Sequence, residues 1–538
     1  MNVNQVGCFS SDDVYLRPSI KLELLIGRWY AWPHLIAPAQ CAMNFAFRYL
    51  PILESFVANP TVHSVASSSA ELFAGPFVPL KQESVSAIRA LIKATRSQCA
   101  RLITFAEDIR KLDQALQQGA KGYSLDEYYR QLPKSLAGFV ELVYDLNSHP
   151  RIRLLEEMMY NCGPDNTHMQ EICLSDTKDD QRGFFLNTPR IESDNGVLLS
   201  LPFCDPRIDV LAAARLQPQP LASIVTSLGT SDADRVRLRD CFTADVPRRR
   251  CPEYDDSGVR VRYFGHACVL LQSAKTSVLI DPVVTWDPDE ENERFTFNDL
   301  PDRIDYVIVT HGHQDHFSPE ILVQLRRRVG SVLVPRNNSG ELSDPSMKLV
   351  LTRLGYTNVH VMDPFDSVSL KGGVIVGIPF FGEHAGLDIH SKQCVLVRLE
   401  NQSCLFLTDS DCPDIEFYRN VVPRLGKVDT LFIGMECHGA PLTWLYGPYL
   451  TKSVSRRDDD SRRLSGCNFD RARSVLDSVG CSRAFVYAMG LEPWMRHLVG
   501  LEYSADSLQI VESDKFVAYC RQAGVQAERL KGSREFVL

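Results

Sequence analysis

Four ligand-type side chains fall within six positions at His311-Gly312-His313-Gln314-Asp315-His316. Imidazoles at i and i+2 can converge on one cation, while the carboxylate at i+4 and the imidazole at i+5 point to a second cation a few ångströms away. One hexapeptide can therefore serve two metal sites. A pair of ions side by side either activates water for hydrolysis or, when redox-active, reduces O2 beside a bound substrate. The run follows Asp305 to Val309, which reads as a short strand, and precedes Ser318 and Pro319, which open a helix. The ligands are thus expected on a strand-to-helix turn.

This spacing matches the H-x-H-x-D-H signature of the metallo-β-lactamase superfamily at every fixed position, and the resemblance covers roughly Val259 to Met489. The approach Leu300-Pro301-Asp302-Arg303-Ile304-Asp305-Tyr306-Val307 and the earlier Gly265-His266-Ala267 resemble the branch holding sugar-acid lactonases and lipid phosphodiesterases. The resemblance implies that Asp281 orients a ligand histidine. It also implies a ligand from a G-H-x-x-G loop, here Gly382-Glu383-His384-Ala385-Gly386, so that Glu383 stands where a histidine is usual. A shift of one position would put His384 there instead. The bridging aspartate of the family falls on Asp409, after Leu405-Phe406-Leu407-Thr408, with Asp411 as the nearby alternative. The last family histidine is expected at the end of Phe485-Val486-Tyr487-Ala488-Met489-Gly490, which contains none; His438 and His497 are the candidates to replace it.

The resulting set is His311, His313, Asp315, His316, Glu383 and Asp409. Three carboxylates beside three histidines suit iron better than the nitrogen-rich sets of zinc hydrolases, and oxygen ligands stabilise the higher oxidation state. The long N-terminal region, Glu383 and the missing last histidine together resemble the di-iron β-hydroxylases of nonribosomal peptide biosynthesis, of the chloramphenicol-pathway type. That resemblance implies an O2-dependent monooxygenase with two iron ions in an Fe-O-Fe cluster. It implies as substrate an amino acid held as a thioester on a peptidyl carrier domain, hydroxylated at its β-carbon in antibiotic biosynthesis. An external electron donor, a reductase or electron-transfer protein, and a homodimer are further implications. The alternatives are a zinc-dependent hydrolase of a lactone, thioester or phosphodiester, and a non-catalytic module that kept the fold.

The elements that must position these residues divide the chain in two. At 538 residues it exceeds what a single core supports. Apolar residues recur at helical spacing from Ser84 to Leu116, Ser124 to Glu127 has capping-box spacing before a second helix, and Leu136 to Leu146 reads as a third. Phe184 to Leu186 and Val197 to Leu201 flank Asp194-Asn195-Gly196, a hairpin signal. The aperiodic stretch Ala244 to Ser257, with Pro247, Arg248, Arg249, Arg250 and Pro252, marks a boundary between an N-terminal domain (1–250), for dimerisation and substrate access, and a metal domain (258–538). Beyond it, short strands alternate with helices such as Pro319 to Val329 and Phe469 to Val479. The fold class expected is α+β, a C-terminal metallo-β-lactamase αββα sandwich preceded by a mixed, largely helical domain. Trp444, Tyr446 and Trp494 are candidate pocket walls, and Lys452 to Gly466, with Arg456 and Arg462, reads as a solvated loop.

Composition narrows the function classes. A net charge of −9 argues against nonspecific nucleic-acid binding, and no apolar run reaches the roughly 18 residues of a membrane span. Sixteen cysteines without a C-x-x-C pair suggest reduced, buried thiols, and the polar start of the chain does not look like a secretory signal, so the expected location is cytoplasmic.

Overall fold

Two seven-stranded sheets face each other in the second half of the chain. In spatial order the first holds Val359–Met362, Val329–Pro335, Ile304–Ile308, Ser277–Ile280, Cys268–Gln272, Arg260–Gly265 and Arg534–Val537. The second holds Ser367–Leu370, Gly373–Pro379, Gln393–Leu399, Gln402–Phe406, Thr430–Gly434, Arg483–Tyr487 and Gln526–Arg529. The computed structural model describes residues 13–191, 196–229, 231–249, 253–287 and 294–538.

Strand periodicity explains the layering. Along Gln393–Leu399, Val395, Val397 and Leu399 enter the core between the sheets, where Phe406 stacks on Phe432 with ring centroids 4.5 Å apart. Cys394 and Leu396 point the other way, into a second core against the helices Ile415–Leu425, Phe469–Val479 and Leu508–Gln522. Both faces of the sheet are covered, which is why the strand reads as continuously apolar. The outer face of the first sheet (Leu270, Leu279, Val307, Val332) packs on the helix Pro319–Leu325 and joins one core with the first 250 residues. The αββα sandwich expected from sequence is thus present.

The N-terminal region carries a four-stranded antiparallel sheet in the order Trp29–Tyr30, Ile20–Ile26, Gln170–Asp176, Gly196–Leu199. Here local reading needs correction. The helix expected over Leu136 to Leu146 is instead the strand Val140–Tyr144, paired antiparallel with Pro150–Leu154; Val140 and Leu142 point inward with a period of two. The helix expected from Ser84 to Leu116 is two, Val85–Gln98 and Ala100–Gly119, broken at Cys99 where φ is −95° and ψ 12°. Ser124 does accept from the Asp126 N–H at 3.2 Å, but the helix Asp126–Arg130 that follows is one short turn. Gly196–Leu199 pairs with Gln170–Asp176 and not with Phe184 to Leu186, which form a turn. Asp194 and Asn195 of the expected hairpin lie outside the described residues, as do Arg250 and Pro252. Lys452 to Gly466 is not all loop: Ser455 caps the helix Arg456–Ser461, and Asp459 accepts from the Thr443 N–H at 2.8 Å. Every cysteine among the described residues is a free thiol, and most are buried. No helix among them is long and apolar enough to cross a membrane.

Candidate metal centre

Seven strands end at one edge of the sandwich, and each delivers a side chain there. Ile304–Ile308 leads to His311, Ser277–Ile280 to Asp281, Arg260–Gly265 to His266, Gly373–Pro379 to Glu383, Gln402–Phe406 to Asp409, Thr430–Gly434 to Glu436 and Arg483–Tyr487 to Met489. Non-glycine residues with positive φ gather on these turns: His266, Asp281, Glu383, His384, Thr408 and Ala488 lie between 44° and 58°. Such backbone costs about 1–3 kcal/mol per residue and persists where the surroundings over-determine it. Gly434 shows the crowding, because a Cβ there would lie 2.4 Å from the Thr408 carbonyl oxygen and 3.1 Å from Asp409 Oδ1.

All six expected ligands meet. His311, His313 and Glu383 bring one donor atom each to a common point, and His311, His316 and Asp409 bring theirs to a neighbouring one, with Asp315 beside His316. His316 Nε2 lies 3.1 Å from Asp409 Oδ2, and His313 Nδ1 lies 3.4 Å from Glu383 Oε1. His311 Nε2, His316 Nε2 and Asp409 Oδ1 are buried and find no hydrogen-bond partner among the described residues. Orphaned donors of this kind, aimed at one another, are what cations satisfy. The donor set therefore fits two metal ions.

The hydrogen bonds behind the imidazoles set which nitrogen faces inward. His316 Nδ1 donates to Asp281 Oδ2 at 2.9 Å; Asp281 also accepts from the Thr310 hydroxyl (2.7 Å) and N–H (2.8 Å). Thr310 Oγ1, having given its proton to Asp281, accepts from His311 Nδ1 at 3.1 Å. Both Nε2 lone pairs are thereby free for metal. His313 is turned the other way: its Nε2 donates to the Tyr446 hydroxyl at 3.1 Å, leaving Nδ1 on the Glu383 side. The role expected for Asp281 is the one the geometry supports.

His266 is a residue that sequence reasoning quoted without giving it a role. It sits 3.3 Å from Asp315 Oδ2 and could be counted as a ligand by proximity. However, its Nδ1 accepts from the Gly490 N–H at 3.0 Å, so the neutral ring carries its proton on Nε2. That nitrogen faces Asp315 at 3.3 Å and, protonated, has no lone pair for a metal. Tyr446, expected as a pocket wall, is the anchor of His313 from 133 residues away, and no local pattern could have shown it.

Of the alternative ligands, His384 stays beside the cluster and the others lie away from it. His384 contacts Glu383 through Nδ1 and stacks on His313 with centroids 4.5 Å apart. Asp411 accepts from Arg471. His497 donates from Nδ1 to the Trp494 carbonyl (2.9 Å) and accepts from Arg182 at Nε2 (2.8 Å). His438 is exposed on the wall of the adjoining cavity.

Electrostatics agree with a site built for cations. Burial, with Asp409 and Asp315 nearby, pushes the Glu383 carboxyl up to about 7. Burial and the crowded rings of His316 and His313 hold His311 well below the ordinary histidine range. His316 is raised, despite burial, by Asp409, Asp281 and Asp315. A bound dication offsets the carboxylate repulsion and takes the imidazole lone pairs without protonation. Beside the ligands opens a cavity of about 560 Å³, walled by Trp444, Leu445, Leu464, Met489, Val499 and Tyr503 and reached past Ala70 to Gly75 of the N-terminal region. Trp444 is therefore a wall as expected, whereas Trp494 lies outside this cavity, over Arg294.

Fold and site define a dinuclear metal protein of the metallo-β-lactamase type with a large added N-terminal domain. Residues 15–246 match the family described as the diiron non-heme beta-hydroxylase N-terminal domain, and residues 260–412 match the beta-lactamase superfamily domain. The chain is 35% identical over 521 residues to the 4-amino-L-phenylalanyl-[CmlP-peptidyl-carrier-protein] 3-hydroxylase of Streptomyces venezuelae, which covers 96% of this chain and 98% of that protein. It belongs to the diiron non-heme β-hydroxylases. The crystal structure of CmlA, a diiron β-hydroxylase from Streptomyces venezuelae, superposes with a TM-score of 0.92 at 35% identity over 98% of this chain and 100% of that one. A UPF0173 metal-dependent hydrolase of Sulfolobus acidocaldarius is 28% identical over 147 residues, 24% of this chain and 60% of its own length. The protein is thus an iron-dependent oxygenase, and the hydrolase and non-catalytic alternatives give way.

Proposed function

We propose that this chain hydroxylates the β-carbon of an amino acid held as a thioester on the peptidyl carrier domain of a nonribosomal peptide synthetase. The observation that carries this reading is Glu383: a carboxylate occupies the metal-facing position that the metallo-β-lactamase pattern reserves for an imidazole, next to a cavity large enough for an aminoacyl group. The likeness to an enzyme whose name states a carrier-bound amino acid as substrate supports it.

In this reading His311, His313 and Glu383 would hold one iron, and Asp315, His316 and Asp409 would hold the other. The iron pair supplies the O2 chemistry: one oxygen atom enters the C–H bond, the other leaves as water, and two electrons and two protons come from outside. Neither O2 nor the amino acid provides those electrons, so a separate reductase or electron-transfer protein is required. Asp281 and Thr310 keep the His311 and His316 tautomers fixed. His266 faces Asp315 Oδ2 with its protonated Nε2. The apolar walls Leu464, Met489 and Val499 exclude water from the side chain being hydroxylated, and the N-terminal domain shapes the mouth through Ala70 to Gly75.

The test is metal analysis and an optical spectrum of the purified protein, followed by reaction of carrier-loaded amino acids with labelled O2 and a reductant. Two irons per chain, near-ultraviolet ligand-to-metal absorption and a mass gain of one labelled oxygen atom on the aminoacyl group are expected. Two zincs with thioester or lactone cleavage would reject the reading.

A further inference from the structure

Of the carboxylates lining the cavity beside the metal ligands, one stands without an assigned role. Asp315, Glu383 and Asp409 face the metal positions, Glu502 pairs with Arg496 at 2.9 Å, and Glu71 is exposed at the mouth. Glu436 remains. It follows the strand Thr430–Gly434, lines the same cavity, and makes no side-chain hydrogen bond or ion pair among the described residues. It also stands outside every group of converging ligand atoms.

The surroundings are arranged around it. A Cβ at Gly439 would come 2.6 Å from Glu436 Oε1, and one at Gly466 would come 3.7 Å from Glu436 Cβ and 3.4 Å from the Asp409 backbone oxygen. Gly439 therefore leaves room for this carboxylate, while Gly466 is in ordinary contact range of Glu436 and the Asp409 backbone.

We propose that Glu436 binds the α-ammonium group of the carrier-bound amino acid. This rests on the reading above and deepens it. An amino acid loaded on a carrier has spent its carboxyl group in the thioester, so the ammonium is the charge left near the reacting carbon. Cα lies between that nitrogen and Cβ. An ammonium–carboxylate contact of about 2.8 Å at Glu436 therefore fixes the C–H bond to be hydroxylated in relation to the metal ligands on the same cavity wall. The same contact selects the substrate class: a free-amine aminoacyl thioester fits, whereas an N-acylated peptidyl thioester or a fatty acyl thioester covers the half-buried Glu436 without giving it a partner. Hydroxylation then precedes the condensation that acylates the amine.

The experiment titrates the iron-loaded enzyme, without O2, with a panel of L-aminoacyl-S-pantetheine thioesters and with their N-acetyl and desamino counterparts. Wild type is expected to bind its preferred aminoacyl thioester about 10- to 100-fold more tightly than either counterpart. Glu436→Gln should lose that preference while keeping two irons per chain, and Glu436→Asp should keep part of it. Equal binding of amine and desamino thioesters by wild type, a preference that survives in Glu436→Gln, or loss of iron from that variant would each overturn the assignment. The wild-type comparison stands even if the glutamine variant does not fold. Failure of the broader reading shows separately, as no oxygen insertion by wild type into any carrier-loaded amino acid; failure of the ammonium assignment leaves that insertion intact.

Discussion

Each imidazole in this site is a tautomer choice made by a neighbour. Asp281 takes protons from Thr310 and His316 and, through Thr310, fixes His311 as well. Replacing it by asparagine keeps the volume but removes an acceptor, so Asp281→Asn should weaken metal binding about 10- to 100-fold, read by chelator competition, with little change in far-ultraviolet circular dichroism. On the proposed ligand set, Glu383 is the residue that favours iron over zinc. Glu383→His should shift retention from iron toward zinc by elemental analysis and abolish O2-dependent product; normal hydroxylation by that variant would remove Glu383 from the ligand set. His311, His313, Asp315 and His316 were legible because one turn holds them all. His266 was not, because its tautomer depends on the Gly490 N–H, 224 residues on.

The short helix Leu442–Tyr446 links the two halves of the chain. Arg48, in the π-helical turn Phe45–Tyr49, donates to the Trp444 carbonyl (2.9 Å) and the Leu445 carbonyl (2.7 Å), and Trp444 packs near Phe184 and Phe185. The N-terminal domain thus grips the helix whose Tyr446 holds His313. Tyr446→Phe should leave the fold intact and lower occupancy of the iron bound by His313, read as a substoichiometric metal count. Arg48→Met should add a stability loss of about 1–3 kcal/mol from carbonyls left without a donor, measured by denaturant unfolding. Element prediction failed where density of apolar residues was taken for helical period: Val140 and Leu142 alternate across a sheet, and the partner Pro150–Leu154 that makes them a strand lies beyond any local window.

At the scale of the whole molecule, the outer face of the first sheet and the N-terminal domain share one core, and ionisable groups are trapped at the seam. Glu156 accepts from Ser346 N–H (3.1 Å) and from the Asn337 amide across that seam. Burial pushes its carboxyl up to about 8. The folded state therefore holds a proton there that the unfolded chain releases near pH 4.5, so the contribution to stability is full below that value and is lost as pH rises toward 8. Thermal unfolding should show a midpoint that falls between pH 5 and 8 in the wild type, with a smaller fall in Glu156→Gln. An equal slope in both would place the titration elsewhere.

The sequence by itself determined the metal turn, because ligand spacing on a turn is a property of a few adjacent residues, and the sandwich and the chemistry class came through family resemblance. Asp281, Glu383 and Asp409 came through resemblance at strand ends. Only the tertiary structure decided that His266 faces Asp315, that Tyr446 anchors His313, that Arg456–Ser461 is a helix and that Glu436 lines the cavity. Those outcomes depend on hydrogen bonds and packing between segments far apart in the chain, where the direction of a side chain is set by its partner and not by its neighbours in sequence.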